Sequence, residues 1–214
     1  MIRALICDLD NTLFPARAIP RSVLQPALDA VRAVNRARSL IPEGRLEDAL
    51  NACWELSFDE VARRYALPDQ LCRAWSESAE QLEAPAQLEL YADTSVLWKL
   101  SVQLFLVTTG YRRFQESKIA ALDIAHRFDA IYIDAIGTDQ PGKEALFRRL
   151  VAEHHLAAGE VAVLGDNADS EIAAGSRLGL WTIQIVRERA VSSPAVHFRI
   201  ASLSQLPAVL ETFK

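Results

Sequence analysis

Residues 2–12 read Ile2-Arg3-Ala4-Leu5-Ile6-Cys7-Asp8-Leu9-Asp10-Asn11-Thr12. An apolar run broken only by Arg3 ends on two carboxylates separated by one residue. In a strand, residues two apart point the same way, so Asp8 and Asp10 can face one pocket from backbone that a sheet holds still. Charges at a buried strand end must be paired or coordinated. The pair therefore predicts a cation or a reaction that needs both acids. An Asp/Asn-rich turn is the alternative reading of the same residues, and the rest of the chain separates the two.

Working outward, four more segments read as short apolar strands of the kind buried on both faces: 102–107, 130–133, 161–164 and 181–186. Helical periods fall between them. Phe114, Ala121 and Leu122 share one face, Leu146, Phe147, Leu150 and Val151 another, and 170–178 a third; 203–213 predicts a closing helix. Alternation of this kind predicts an α/β fold, a parallel sheet with helices on both sides.

The first connection breaks the rhythm. More than ninety residues separate the first two strands, far more than a crossover needs. They carry helical stripes: Leu24, Ala27, Leu28, Val31 and Val34, then Leu46, Ala49, Leu50, Cys53 and Trp54. Ser57-Phe58-Asp59-Glu60 has the spacing of a capping box, and Pro68-Asp69 opens another helix through Leu71 and Trp75. A helical insertion placed here is expected to lie over the carboxyl end of the sheet, where open parallel sheets bind ligands. The expected division is a core of 1–14 and 91–214 with a helical cap of 15–90.

Composition narrows the class. The chain has 214 residues, half of them hydrophobic, and a formal net charge of −5. That is ordinary for a globular protein with a sizeable core, and without a basic stripe no nucleic-acid partner is expected. Cys7, Cys53 and Cys72 lack metal or disulfide spacing, which fits a reducing compartment. No apolar run has transmembrane length, and Asp8 interrupts the first apolar stretch too early for a signal peptide, so no membrane partner and a cytoplasmic location are expected.

Three more motifs fall at strand ends. Thr108-Thr109-Gly110 follows the second strand and offers a hydroxyl and close N–H groups to an anion. Gly165-Asp166-Asn167-Ala168-Asp169-Ser170-Glu171 follows the fourth as a second acidic turn. Lys143 lies at the end of a polar loop, just before the helix of Phe147.

With these four in order, the chain resembles the haloacid dehalogenase superfamily. Asp8 to Thr12 matches its DxDxT motif, Thr108 its second, Lys143 its third, and Gly165-Asp166 with Glu171 its acidic fourth. Glu171 fits the GDxxxxD spacing, with Asp169 as the competitor. The resemblance covers nearly the whole chain and implies a three-layer Rossmann-like core with a helical cap between motifs one and two. It implies Asp8 as nucleophile, Asp10 as general acid/base, and Lys143 as the cation on Asp8 and on phosphate. Thr108, Thr109 and Gly110 would bind the phosphoryl oxygens, and Asp8, Asp10 through its carbonyl, Asp166 and Glu171 would hold Mg²⁺. Family members that break carbon–halogen bonds lack the second acid, so Asp10 favours phosphoester chemistry. The expected function is a Mg²⁺-dependent phosphatase acting on a small phosphorylated metabolite, as a monomer or homodimer. The continuation Asn11-Thr12-Leu13-Phe14-Pro15 is similar to the pyrimidine 5′-nucleotidase-like branch and suggests nucleoside monophosphates; sugar phosphates are the other expectation. An intramolecular phosphomutase and a catalytically silent binding protein are the alternatives.

Overall fold

The computed structural model describes residues 1–53, 56–137, 141–187 and 196–213. These divide into two compact units, Met1–Ala18 with Ala86–Lys214, and Ile19–Pro85. Trp54, which closes the second predicted stripe, and 138–140 of the polar loop lie outside the described residues.

The larger unit is built on a six-stranded, wholly parallel sheet: β1 (Ala4–Cys7), β2 (Gln103–Gly110), β3 (Ala130–Ala135), β4 (Val161–Gly165), β5 (Trp181–Ile185) and β6 (Phe198–Ile200), in the order β3-β2-β1-β4-β5-β6. Every residue of β1 and β4 is buried, which is why those two strands read as unbroken apolar runs. Helices cover both sides. Ala4 and Ile6, with Val161 and Val163 beside them, pack under Leu146, Phe147 and Leu150 of one helix and Ala174 of another. The chain lays down β1, β2 and β3 outward to one edge, then returns to the other side of β1 with β4. The crevice at the carboxyl ends of β1 and β4 is thus the point where strand order reverses, the ligand-binding position of such sheets.

The smaller unit holds α1 (Gln25–Arg38), α2 (Glu43–Ala52), α3 (Phe58–Tyr65) and α4 (Asp69–Ala79). The predicted stripes are its core: Ala27, Leu28, Val31, Leu46, Ala49, Leu50, Val61 and Leu71 are buried. Ser57 caps α3 by accepting the Glu60 N–H at 3.3 Å, and Phe58 stacks on Trp75 with ring centroids 4.1 Å apart. Arg32 spans α1 and α2 through a two-pronged pair with Glu47, both contacts at 2.8 Å.

Helices of the larger unit are α5 (Arg112–Ala121), α6 (Gly142–Glu153), α7 (Ala173–Arg177) and α8 (Leu206–Glu211). Three details depart from the sequence expectation. β2 runs on through Thr108, Thr109 and Gly110 rather than ending before them, because these residues pair with Ile133, Asp134 and Ala135 of β3. Lys143 lies inside the first turn of α6, not in the loop before it. A sixth strand, Phe-Arg-Ile, adds at the edge; three residues with a charge in the middle carry no strand pattern that a sequence alone reveals.

Candidate active site

Asp8 leaves β1 still in the ladder, its N–H donating to the Leu164 carbonyl of β4 at 2.9 Å. This continuation fixes its side chain at the crevice, where it is only 7 % exposed. The backbone then turns sharply. Asn11 takes a left-handed φ of 57°, its N–H donates to Phe14 O at 2.8 Å, and its Oδ1 accepts the Ala16 N–H at 3.1 Å. Asn11 thus shapes the loop, a role suited to a residue that tolerates this conformation.

Lys143 reaches the same crevice from α6. Its ammonium donates to Asp8 Oδ1 and to Glu171 Oε2, each at 2.7 Å, and all three side chains are buried. Glu171 comes from a turn of π-helix, Ala168–Ile172, that follows β4; its other oxygen accepts the Asn167 N–H at 2.6 Å. Space for it depends on Gly165, since a Cβ there would run into the Glu171 carboxylate. Of the two candidate acids in this turn, Glu171 is 1 % exposed and joins the cluster, whereas Asp169 is exposed and its N–H donates to Oδ1 of Asn167, which caps the turn. Half-buried Asp166 completes the group, its carbonyl held by the buried Gln184 amide at 2.9 Å.

Single oxygens of Asp8, Asp166 and Glu171 lie within 4.8 Å of one another. Three carboxylates face one ammonium, and protonation reflects the shortage of positive charge. Burial pushes Asp8 up to about 8, opposed by Lys143 and reinforced by Glu171 and Asp10. Burial, then the charge of Glu171, pushes Asp166 up to about 7. Burial pulls the Lys143 ammonium down, but Asp8 and Glu171 outweigh it and the net direction is up. Hard, oxygen-only donors that repel one another are the ligand set of a hard divalent cation, and the residues fit one.

Asp10 is placed differently. Its carboxylate turns toward α5, where Lys118 Nζ donates to both oxygens at 2.8 and 2.9 Å, so its side chain is not one of the clustered acids. Thr108 is buried and Thr109 half-buried on the last turn of β2. Thr109 Oγ1 donates to buried Asp134 at 3.1 Å, and Asp134 also accepts the Gly142 N–H at 3.0 Å, tying the Thr-Thr-Gly segment to the start of α6 and hence to Lys143. Lys118, Gln115 and Asp134 were not legible as site residues. The signal for the first two was their three-residue spacing on the helix that follows Gly110, which puts both on one face. Asp134 gave none.

The sequence signature of the haloacid dehalogenase-like hydrolases matches residues 5–185. The chain belongs to this family. Among curated proteins, mouse N-acylneuraminate-9-phosphatase is 23 % identical over 99 % of this chain and 94 % of its own length. The glyceraldehyde 3-phosphate phosphatase of Methanopyrus kandleri is 26 % identical over 87 % of this chain and 85 % of its own. Among solved structures, the putative haloacid dehalogenase-like hydrolase YfnB of Bacillus subtilis, bound to magnesium, aligns over 98 % of both chains with a TM-score of 0.62 at 18 % identity, a likeness of fold. Family and relatives together give the enzyme class, a phosphoric monoester hydrolase of the haloacid dehalogenase-like kind.

Proposed function

We propose that this haloacid dehalogenase-like hydrolase is a Mg²⁺-dependent phosphatase of a small phosphorylated metabolite, working through a phosphorylated Asp8. The observation that carries the reading is the buried Asp8 carboxylate at the strand-order switch, held by Lys143, with Asp10 two residues on and supplied with its own cation. Asp8 Oδ forms a bond to phosphorus while the ester P–O bond breaks, and the leaving oxygen takes a proton from Asp10. Water then gives its proton to Asp10 as its oxygen bonds to phosphorus, releasing phosphate and Asp8. Lys143 holds Asp8 in line and offsets charge on the phosphoryl oxygens, with Thr108 and the N–H groups of Thr109 and Gly110 as the other donors. Asp8, Asp166, Glu171 and the Asp10 carbonyl would hold Mg²⁺, which supplies positive charge against a dianionic substrate.

The helical unit Ile19–Pro85 is proposed as the cap that selects the substrate. The curated relatives are named for phosphates of small hydroxylated carbon skeletons, which favours a sugar or sugar-acid phosphate, and nucleoside monophosphates are the second set to try. The protein is proposed to act in the cytoplasm as a monomer or homodimer. A phosphate-release screen over such metabolites with Mg²⁺ tests the reading. The expected result is turnover of at least one of them that stops with chelator and returns with Mg²⁺. Turnover indifferent to chelator removes the metal from the account, and no release from any phosphoester overturns the function.

A further inference from the structure

We propose that Lys118, assisted by Gln115, is the positioning residue for Asp10, and that it stabilises the charge that develops on Asp10 as the leaving oxygen takes its proton. The proposal rests on the reading of Asp10 as the general acid/base.

The geometry is specific. Lys118 is 5 % exposed, yet it sits on a helix whose outer face would have left it in water. Drawing an ammonium out of solvent is costly without compensation. Here the compensation is the Asp10 carboxylate, bound at both oxygens, and the faces of Phe114 and Phe14, with ring centroids 4.6 and 5.8 Å from Nζ. Asp10 itself stays open, its side chain 27 % exposed against 6 % for Lys118. A pair that served packing alone has no need to bury the cation and leave the acid accessible.

Gln115 adds a third contact. Its Nε2 donates to the Thr109 carbonyl at 2.6 Å and to Asp10 Oδ2 at 3.3 Å. Its own Oε1 is buried with no hydrogen-bond partner among the described residues. An orphaned buried acceptor costs free energy, so the amide is oriented for its donors at the expense of its oxygen. The amide lies where a Cβ on residue 110 would be, so Gly110 is what admits it. A carboxylate has about four acceptor positions. Lys118 and Gln115 fill three of them, leaving one for the transferred proton. When Asp10 donates that proton, negative charge appears within 3 Å of a fixed, desolvated ammonium, which favours the transition state over the ground state.

Proton donation matters in proportion to how poor the leaving group is, and this separates positioning from general loss of structure. The test is the dependence of kcat/KM on leaving-group acidity across phenyl, 4-nitrophenyl and 2,4-dinitrophenyl phosphate, since kcat/KM covers the steps up to departure of the phenol. Lys118→Met is expected to lose about 100-fold on phenyl phosphate and less than about threefold on 2,4-dinitrophenyl phosphate, within the range of general-acid contributions. Lys118→Arg, which keeps the charge, is expected to recover part of the phenyl phosphate rate. Gln115→Met should tilt the series in the same sense by up to about tenfold, and it carries the test if Lys118→Met does not fold. An equal loss on all three esters, or no loss, while Asp10→Asn does tilt the series, overturns the proposal and leaves the Asp10 reading intact. If Asp10→Asn itself does not tilt the series, the Asp10 reading falls and the proposal with it.

Discussion

Two buried lysines serve the two aspartates of the opening motif, and they do so under opposite charge balances. Around Lys143 a single ammonium meets Asp8 and Glu171 at 2.7 Å, with Asp166 close by. Around Lys118 one ammonium meets one carboxylate between two aromatic rings. The first centre is short of positive charge, the condition in which a divalent cation would be held. The second is balanced and is built to hold. Two carboxylates two residues apart are thus given different chemistry by what reaches them from other parts of the chain, not by their own identity.

The comparison breaks most visibly at Asp8. Asp8→Asn removes the proposed nucleophile and should lower phosphatase turnover by about four orders of magnitude or more, with the far-ultraviolet circular dichroism unchanged; turnover within tenfold of wild type would remove Asp8 from its role. Next in size, Lys143→Met leaves Asp8 and Glu171 buried without their cation. It should destabilise the protein by about 3–5 kcal/mol in urea unfolding above about pH 8, and by less at lower pH, where Asp8 holds a proton. A loss independent of pH would mean that packing, not charge, was removed.

Smaller effects sharpen the contrast. Asp166→Asn takes one charge from the deficient centre and should weaken Mg²⁺ binding, read by calorimetry, by about tenfold or more, whereas Lys118→Met should leave Mg²⁺ affinity within about twofold. The smallest effect is one of pH. Asp8 and Asp166 titrate near 8 and 7 in the fold, well above ordinary carboxylates. A group with a raised folded pKa keeps its stabilising protonation below its unfolded value and loses it as pH rises through the folded value. Metal-free protein should therefore lose stability between about pH 4 and 8, and Mg²⁺, which replaces those protons, should raise Tm by a few degrees more at about pH 8.5 than at about pH 6. Equal shifts at both pH values would show that the cation binds elsewhere.

What the sequence yielded and withheld follows the same division. β1 and β4 are legible because strands buried on both faces are apolar throughout, β2, β3 and β5 because their apolar and β-branched residues outnumber the polar ones, and the stripes of α1 and α2 because one face of a helix repeats at its own period. Lys143 and Glu171 are legible through the family resemblance, Lys143 by its place before the helix of Phe147 and Glu171 by the GDxxxxD spacing that starts at the end of β4. Lys118 is not, because a lysine on a helix is ordinarily solvated, and only the packing of α5 turns this one inward. Asp134 resembles any acid at a strand end until its two partners, Thr109 and Gly142, are seen together. Linear spacing exposes residues that act from the strand ends; residues that act by reaching across from a neighbouring element are exposed by packing alone.

The central place of β1 also has a consequence in time. Its partners begin at Gln103 on one side and Val161 on the other. A ribosome adding about 5–20 residues per second needs roughly eight to thirty seconds between making β1 and making β4. Through that interval the strand that leads to Asp8 lacks the β4 neighbour that will bury it, and it is an apolar, β-rich segment with an open edge. The order of synthesis thus leaves the Asp8 segment exposed, before its neighbours exist, to the aggregation that unpaired apolar strands risk.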